Sequence, residues 1–311
     1  MDYSKMFDIR ARGAATGYDR GGPTRLADRT GEPVYEYTPE IELAVNVALA
    51  TGRPLLVRGP SGAGKSSLAR SVAHRLGWRY YDQTVTSRTS AQDLLWTYDG
   101  VGRLNDAQDP RRKLKDTSGY VKPGVLWWAF ERASALEFDS KEPGRPQPDS
   151  EDSVVLIDEI DKAEPDVPNN LLLPVGSLMF YVADARRAVR APAEHPPLIV
   201  ITTNEERQLP AAFLRRCVVL QLKPPDARQL QKIAALHFGE RPDGLYGAVA
   251  EEMMSASKKG ERPEPNAAEF LDAIWACVSL GVRPPGAGEE PSAAWKAVRE
   301  ATLVKPKATS L

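Results

Sequence analysis

The chain has 311 residues, a formal net charge of −1, and 42% hydrophobic and 27% charged residues, which is the composition of a globular protein with a sizeable core. The near-zero charge provides no global field toward nucleic acid or a membrane, so we expect no membrane partner, and nucleic acid is disfavoured as a partner. No apolar run reaches membrane-spanning length and no signal peptide begins the chain, which predicts a cytoplasmic protein. Two cysteines are too few for a disulfide framework or a zinc site.

The N-terminal segment, residues 1–34, is polar and rich in Gly, Arg and Asp, so we predict an extended arm. Thr38 then caps a predicted helix with Pro39 at its first position. A short apolar strand is predicted at residues 54–58. The main domain is expected to begin at residue 35, just before this helix, and to end at residue 224, after the last predicted strand.

The loop after this strand fits the pattern G-x-x-x-x-G-K-[ST] at every fixed position, and an amphipathic helix follows it. Strand, glycine loop and helix are the arrangement that a phosphate-binding loop requires. Lys65 is expected to reach the β- and γ-phosphates of ATP, and the Ser66 hydroxyl to ligate Mg²⁺. The residues predicted to bind nucleotide here are Gly59, Pro60, Ser61, Gly62, Ala63, Gly64, Lys65, Ser66 and Ser67.

Four further strands are predicted, near residues 79–83, 153–157, 198–203 and 218–222. Most of these runs are apolar without alternation and are separated by helical patterns, which predicts a five-stranded parallel sheet covered on both faces. Residues 125–136 are predicted to be helical. Residues 137–152, rich in Pro, Asp, Glu and Ser, are predicted to form a mobile surface insertion.

Two carboxylates end the strand near residue 157, at the sheet edge where open α/β folds bind ligands. Asp158 is expected to hold the magnesium shell, and Glu159 to orient and deprotonate an attacking water. Asp161 is expected to be solvated or to cap a helix. Asn204 ends the strand 198–203 at the same edge, where its amide could bond both the γ-phosphate and the water.

Arg215 and Arg216 close a short predicted helix before the fifth strand. One interpretation is that they complement the helix dipole at its C-terminus. The other is an arginine finger that enters the nucleotide site of a neighbouring subunit and stabilises transition-state charge. After Pro224 only helical patterns remain, one of them starting at Asn266, so residues 225–311 are expected to form a small helical domain with a C-terminal tail.

The order of these motifs resembles that of the AAA+ ATPases, and looks most like the MoxR-type and dynein-related group, over roughly residues 35–300. The resemblance implies a P-loop NTPase core with a helical lid and a β-hairpin insert at about residues 94–124. Ser61 and Ser66 stand where MoxR-type proteins usually have Pro and Thr, and both changes should be tolerated. A polar switch residue of the family falls at Thr84 or Thr86.

The resemblance also implies an oligomeric ring, in this proposal a hexamer of the chain with itself, that hydrolyses ATP with Mg²⁺. Arg216 matches the family's finger, with Arg215 as a possible helper, because Arg215 occupies a place where the family usually has Asp. The family's sensor arginine in the lid has no fixed match here, and Arg262 is the candidate. The basic loop at residues 111–115 is either a contact for a client or nucleic acid, or a solvated loop, which the net charge favours.

MoxR-type ATPases commonly remodel partner proteins that bear a von Willebrand factor A domain, so the resemblance implies a partner of this kind. Two other functions stay open. One is an assembly switch with slow turnover inside a multi-protein defence or signalling system. The other is a P-loop kinase, which would explain the phosphate-binding loop but not Asp158, Glu159, Asn204 and the two arginines together.

Overall fold

The computed structural model describes residues 6–8, 33–109, 116–144, 146–260, 262, 264–286 and 288–303. Most of the predicted arm 1–34, the basic loop 111–115 and the end of the C-terminal tail lie outside these residues. The described residues of Met1–Ala15, Pro39–Arg58 and Val72–Leu220 form one compact unit. Those of Thr16–Thr38, Gly59–Ser71 and Gln221–Leu311 form a second unit, so the glycine loop groups with the C-terminal helices.

The strands and helices, in chain order, have the following bounds. The strands are β1 (Leu55–Arg58), β2 (Arg79–Thr84), β3 (Trp96–Tyr98), β4 (Val121–Pro123), β5 (Ser153–Asp158), β6 (Met179–Val182), β7 (Arg187–Arg190), β8 (Leu198–Thr203) and β9 (Val218–Gln221). The helices are α1 (Pro39–Thr51), α2 (Lys65–Leu76), α3 (Gly100–Gln108), α4 (Val125–Phe130), α5 (Arg132–Phe138), α6 (Asp166–Ser177), α7 (Ala211–Leu214), α8 (Ala227–Phe238), α9 (Leu245–Lys258), α10 (Ala267–Leu280) and α11 (Ala293–Thr302).

Five strands form a parallel sheet in the order β2-β5-β8-β1-β9, which confirms the predicted fold class. The central strand β8 is buried along its whole length, since sheets of this kind are covered on both faces. Asp158 pairs in register with Thr84, and Arg58 pairs with Thr203. The carboxyl ends of β5, β8 and β1 therefore meet at one edge of the sheet.

Two β-hairpins add to the first unit. β3 and β4 pair antiparallel at the two ends of the predicted insert and flank α3. The second hairpin, β6–β7, was not predicted from the sequence. The ring of Trp96 stacks on Phe180 with centroids 6.0 Å apart, and its indole nitrogen donates to Asp184 over 3.2 Å. The two hairpins are therefore joined by aromatic packing and a hydrogen bond.

The helix predicted at residues 125–136 is in fact two helices, α4 and α5, because Glu131 adopts the non-helical angles φ −151° and ψ 71°. The described residues of 139–152 contain no helix or strand. Glu142 nevertheless accepts hydrogen bonds from the Tyr81 hydroxyl over 2.6 Å and from Arg132 Nε over 2.9 Å. These bonds anchor one point of the segment, whose mobility stays a prediction.

The C-terminal helices α8 to α11 have a core of their own, with Phe270, Ile274, Met253 and Leu230 fully buried. Asp226 and Gln229 form a capping box at the start of α8, and the Asn266 side chain caps α10. α10 begins after Asn266, as the sequence predicted, whereas α9 and α11 were missed. Among the described residues, none of the helices has the length and apolarity needed to cross a bilayer.

Candidate functional site

The loop that follows β1 is closely packed within the second unit. Gly59 has a φ of +148° and Gly62 a φ of +78°. A Cβ at Gly59 would lie 2.6 Å from the carbonyl oxygen of Leu222, and one at Gly62 would lie 2.8 Å from Cγ of Asn266. Both positions therefore require glycine, on grounds of conformation and of space. Glycine at such positions lets the backbone approach a ligand closely.

Lys65 is the first residue of α2, and it is only 6% exposed. Its ammonium group donates to the carbonyl oxygens of Gly59 over 2.9 Å and Pro60 over 2.8 Å. Ser66 and Ser67 lie in the first helical turn, where amide groups have no acceptor within the helix and the helix dipole is positive. The loop and helix start thus combine the features that favour a phosphate group.

Two tyrosines before α1, which the sequence analysis did not single out, pack in the same unit as the loop. A Cβ at Gly64 would lie 3.3 Å from the ring of Tyr35. The Tyr37 hydroxyl donates to Ser71 Oγ over 2.7 Å, and the two tyrosine rings meet edge to face at 5.0 Å. Burial raises the pKa of Tyr35, so its hydroxyl stays neutral. The Tyr35 ring therefore lies against Gly64, near the end of the glycine loop.

The carboxyl ends of β5 and β8 hold the second group of predicted residues, all in the first unit. The Thr202 hydroxyl donates to Asp158 Oδ1 and accepts from the backbone N–H of Glu159 over 2.8 Å. Thr202 is fully buried, so its hydroxyl forms these hydrogen bonds away from solvent. Sequence reasoning missed Thr202, and its only local signal is that Thr202 and Thr203 end an otherwise apolar strand.

The side chains of Glu159 and Asn204 are brought together here. Asn204 Nδ2 donates to one carboxylate oxygen of Glu159 over 3.1 Å, and Lys162 Nζ donates to the other over 2.7 Å. The Lys162 ammonium is exposed, and its hydrogen bond to Glu159 raises its pKa. Glu159 itself has φ 59° and ψ 49°, a left-handed conformation that is uncommon for a residue with a side chain. A carboxylate and an amide thus lie side by side at the sheet edge.

Asp161 was expected to be solvated or to cap a helix, but it is only 3% exposed and its hydrogen-bond partners lie on a loop. Its Oδ2 accepts from the backbone N–H groups of Asn204 over 3.1 Å and Glu206 over 3.0 Å. The expectation was wrong because the partners of Asp161 lie more than 40 residues away in sequence, on the loop after β8. Asp161 therefore shapes the loop that presents Asn204.

Arg215 and Arg216 are exposed at the end of α7, and neither side chain has an ion-pair partner among the described residues. Arg53 supports this turn: its guanidinium donates to the carbonyl oxygens of Arg215 over 2.5 Å, Arg216 over 3.2 Å and Cys217 over 2.9 Å. One planar fork thereby holds three successive carbonyl groups. These hydrogen bonds hold the backbone of the turn in place, and the side chains of Arg215 and Arg216 are exposed on it.

Arg262, the candidate for a sensor in the lid, is 3% exposed within the second unit. It forms an ion pair with Glu269 and donates to the carbonyl oxygen of Leu303 over 3.3 Å. A sensor role for Arg262 would require this ion pair to open. Of the two candidates for a polar switch, Thr84 pairs in register with Asp158, whereas the Thr86 hydroxyl lies 3.1 Å from that of Thr89.

Comparison with known proteins gives a family match over the region that holds most of these residues. The family model described as "AAA domain (dynein-related subfamily)" matches residues 54–217, more than half of the chain. The aerobic cobaltochelatase subunit CobS of Sinorhizobium sp is 35% identical over 115 residues, which are 37% of this chain and 32% of the relative. A shikimate kinase of Colwellia psychrerythraea is 32% identical over 80 residues, 25% of this chain and 45% of the kinase. The chain thus spans less than half the length of each of these relatives.

Among solved structures, the chain is similar to the RuvB Holliday junction branch migration motor of Thermotoga maritima. The TM-score is 0.46 at 15% identity, over 84% of this chain and 67% of that one. A point mutant of the same RuvB gives a TM-score of 0.47 at 16% identity, over 84% of this chain and 68% of that one.

Proposed function

The chain belongs to the dynein-related subfamily of AAA domains, and from that premise we propose that it hydrolyses ATP with Mg²⁺ in a homo-oligomeric ring that acts on a partner protein. The observation that carries the proposal is the hydrogen bond between Glu159 and Asn204 beside Asp158. A carboxylate paired with an amide at the end of neighbouring parallel strands suits the positioning of an attacking water. The family implies nucleotide hydrolysis, and ATP, magnesium and the ring are parts of the proposal.

Nucleotide binding is assigned to the loop from Gly59 to Ser67 and to Asp158. The close packing at Gly59 and Gly62 and the helix start at Lys65 support this assignment. The Ser66 hydroxyl and the Asp158 carboxylate are the proposed protein ligands of Mg²⁺. This donor set fits the ion, because Mg²⁺ binds through one or two protein oxygens and keeps its other positions for waters and phosphates. Among the described residues, no cluster of His, Cys, Asp or Glu offers a competing metal site.

Hydrolysis is assigned to Glu159 and Asn204. Bound ATP with its metal would supply the phosphoanhydride bond that breaks and the charge neutralisation that this needs. Glu159 accepts the proton of the attacking water, and Asn204 holds that carboxylate in place. Lys162 Nζ donates to one oxygen of the Glu159 carboxylate over 2.7 Å, so in this proposal Lys162 must release that oxygen before Glu159 accepts the proton.

Arg216 is proposed to complete the site of a neighbouring subunit, with Arg215 as its helper. Their exposure and lack of an ion-pair partner among the described residues support this role, since a finger has to leave its own subunit. Burying an arginine without a counter-charge is costly, and a neighbour's phosphates would supply one. A ring, with six subunits in this proposal, would give every site such a neighbour.

The proposed action is remodelling of a partner protein, in the manner of the MoxR-type group, and the proposed partner carries a von Willebrand factor A domain. One relative, CobS, is named as a subunit of a larger enzyme, which supports work inside an assembly. An assembly switch with slow turnover uses the same residues. The two differ in rate: a client stimulates the remodeller, whereas nucleotide alone changes the partners of the switch.

A P-loop kinase is the second candidate function, favoured by the 32% identity to a shikimate kinase. It predicts that the γ-phosphate is transferred to a small hydroxylated acceptor rather than to water. Incubation of the protein with radiolabelled ATP, with and without shikimate, separates the two reactions. Label that is found only in inorganic phosphate supports the ATPase, and label on shikimate supports the kinase.

The experiment that tests the proposed function is the ATP hydrolysis rate per protomer over a wide range of protein concentration. We expect a rate that rises steeply and then saturates, because each site needs a neighbour's Arg216. The Lys65→Ala variant, purified identically, measures contaminating ATPase. A measurable rate that is constant across the range would contradict completion in trans, unless sedimentation shows an intact ring at the lowest concentration. No hydrolysis at any concentration would contradict an autonomous ATPase.

A further inference from the structure

We infer that Thr202 and Asp161 form a cross-strand latch that positions the catalytic carboxylate Glu159 and the amide of Asn204. The inference rests on the proposed function of Glu159 and Asn204. Thr202 belongs to β8 but braces residues at the end of β5. Asp161 follows β5 but braces the loop after β8. The end of each strand therefore supplies a polar side chain that accepts or donates hydrogen bonds at the end of the other strand.

The first half of the latch is the Thr202 hydroxyl, which is fully buried. A buried hydroxyl without partners is costly, and this one uses both of its capacities. It donates to Asp158 Oδ1 and accepts the Glu159 N–H over 2.8 Å. As a β-branched residue, Thr202 has few side-chain rotamers, so its hydroxyl occupies one position. One atom, the hydroxyl oxygen of Thr202, therefore fixes the position of the proposed metal-binding carboxylate and of the backbone of the proposed base.

The hydrogen bond to the Glu159 N–H also stabilises a strained backbone. Glu159 adopts the left-handed angles φ 59° and ψ 49°, which cost free energy for a residue with a Cβ. Such a conformation persists only where the surrounding structure determines it. The Thr202 hydroxyl holds the N–H of this residue, so it helps to maintain the turn that aims the carboxylate toward Asn204.

The second half of the latch is the Asp161 carboxylate. A single oxygen, Oδ2, accepts the N–H groups of Asn204 over 3.1 Å and Glu206 over 3.0 Å. Between these two residues Glu205 has a φ of +63°, so two N–H groups converge on one side of the turn. Convergent backbone N–H groups form a concave site for an anion. The Asp161 carboxylate fills that site from within the protein.

The other oxygen of Asp161, Oδ1, is buried and has no hydrogen-bond partner among the described residues. A carboxylate kept in a 3% exposed position with one oxygen unsatisfied is expensive. Replacing it by an amide would retain the acceptor at lower cost in charge burial. We therefore expect the latch to tolerate Asp161→Asn but not Asp161→Ala.

Both halves of the latch help to set the same distance, the 3.1 Å between Asn204 Nδ2 and Glu159 Oε1. Thr202 sets the backbone on the Glu159 side, and Asp161 sets it on the Asn204 side. Displacement of catalytic groups by about 1 Å is enough to cost roughly 100-fold in rate. Thr202 and Asp161 are positioning residues, because neither is assigned a contact with the reacting atoms.

Amide hydrogen exchange tests the latch without any need for enzyme activity. Thr202→Val removes the hydroxyl and keeps the shape, so the Glu159 N–H should exchange about tenfold faster. Thr203→Val is the matched control: its hydroxyl is also buried, but it accepts the N–H of Glu205, so the Glu159 N–H should be unchanged. Asp161→Ala should speed exchange at Asn204 and Glu206, and Asp161→Asn should not. Unchanged exchange in Thr202→Val or in Asp161→Ala would overturn the latch.

Kinetics test whether the latch acts through Asn204. Asp161→Ala should lower kcat about tenfold or more while nucleotide affinity stays within about twofold. In an Asn204→Ala background the same substitution should have little further effect, because the group that it positions is gone. An equal loss in both backgrounds would mean a general structural role and would overturn the inference.

Thr202→Ser is the control for misfolding of Thr202→Val. It keeps the hydroxyl, so it should retain both the exchange protection and kcat. A loss equal to that of Thr202→Val would count against the latch.

Failure of the proposed function is distinguishable from failure of the latch. If the wild-type protein does not hydrolyse ATP, the proposed function fails, and the exchange of the Glu159, Asn204 and Glu206 amides alone decides whether the latch exists. If the wild-type protein hydrolyses ATP and exchange is unchanged in both variants, the latch fails and the proposed function stands.

Discussion

The side-chain amide of Asn204 lies 3.1 Å from the carboxylate of Glu159, although the two residues are 45 positions apart in sequence. The adjacency of β5 and β8 in the sheet makes this possible, because Ile157 pairs with Ile201 and both strands end at the same edge. Strand order therefore places the proposed base beside the amide that is proposed to position the water.

Lys65→Ala and Glu159→Gln should separate nucleotide binding from hydrolysis. Lys65 lies in the glycine loop, so its loss should weaken ATP binding by at least about tenfold. Glu159→Gln keeps the shape of the side chain and its contact with Asn204 but removes the base, so kcat should fall about 100-fold or more with binding retained. Calorimetric titration with ATP, together with phosphate release, measures both. Equal loss of binding in the two variants would contradict these roles.

Arg216→Ala should abolish most hydrolysis while the variant still binds ATP. An arginine finger contributes about 1000-fold or more to the rate, and Arg216 is proposed to act on the neighbour's nucleotide. Mixing Arg216→Ala with Glu159→Gln protein should restore part of the activity, because some interfaces then pair an intact site with an intact finger. The phosphate-release rate over a series of mixing ratios measures this. Arg215→Ala, assayed in parallel, should cost less, and failure of every mixture to regain activity would refute a finger acting in trans.

Arg53→Lys should lower hydrolysis several-fold without changing ATP affinity. The guanidinium of Arg53 holds the carbonyl groups of residues 215–217, and a lysine keeps the charge but loses the planar fork. The turn that carries Arg216 would then be less ordered. Arg88→Lys is the matched control, since Arg88 is exposed and its side chain has no partner among the described residues. Identical hydrolysis rates in the two variants would show that Arg53 does not support the finger.

Gly62→Ala should impair nucleotide binding more than it impairs folding. The new Cβ would lie 2.8 Å from Cγ of Asn266, and the positive φ adds strain of about 1 kcal/mol. Gly77→Ala is the matched control, because Gly77 has a similar φ of +69° but no atom within 4 Å of its Cβ position. Both variants should unfold at a slightly lower temperature. Only Gly62→Ala should lose ATP affinity, and an equal loss in Gly77→Ala would contradict the prediction.

Glu142→Gln should destabilise the protein in a pH-dependent manner. Burial alone would raise the pKa of Glu142, but hydrogen bonds from Arg132 and Tyr81 outweigh it and lower the pKa below its ordinary value of 4.5. A lowered folded-state pKa contributes stability that is present above about pH 4.5 and is lost as the pH falls through the folded pKa. We expect Glu142→Gln to lower the free energy of unfolding by about 1 kcal/mol near neutral pH, a value that allows for the partial exposure of Arg132. The loss should shrink below pH 4.5.

Urea unfolding of wild type and Glu142→Gln across this pH range measures that difference. Glu137→Gln is the control, since Glu137 also pairs with an arginine but is 61% exposed at its side chain, and it should change the free energy of unfolding less. A difference between Glu142→Gln and wild type that stays constant from neutral pH to well below 4.5 would contradict the lowered pKa.

Local sequence signals predicted the elements whose causes are local. The fixed positions of the glycine loop lie within eight residues of one another. The cap at Asn266 depends on the N–H of Glu269, three residues later. The five parallel strands were predicted because apolar runs of strand length alternate with helical patterns. The order of the motifs was enough for the family, which the match over residues 54–217 confirms.

Other features could not be predicted because their causes are distant in sequence. The β6–β7 hairpin was missed, and only its pairing and the stacking of Phe180 on Trp96 make its strands evident. Asp161 was expected to be solvated, and its partners became visible only once β8 was placed beside β5. Arg53 acts on carbonyl groups more than 160 residues away, and nothing in its own neighbourhood indicates this.

The sequence by itself therefore determined the chemistry that this chain can offer: a phosphate-binding loop, two carboxylates, an amide and two arginines. These depend on residue type and short spacing, which a linear chain already contains. The tertiary structure alone decided which groups hold one another, because hydrogen bonds such as those of Thr202 and Asp161 form only when strand order brings distant residues within 3 Å or so of each other. The strained backbone at Glu159 is likewise a product of folding, since a left-handed glutamate is maintained only by the contacts around it.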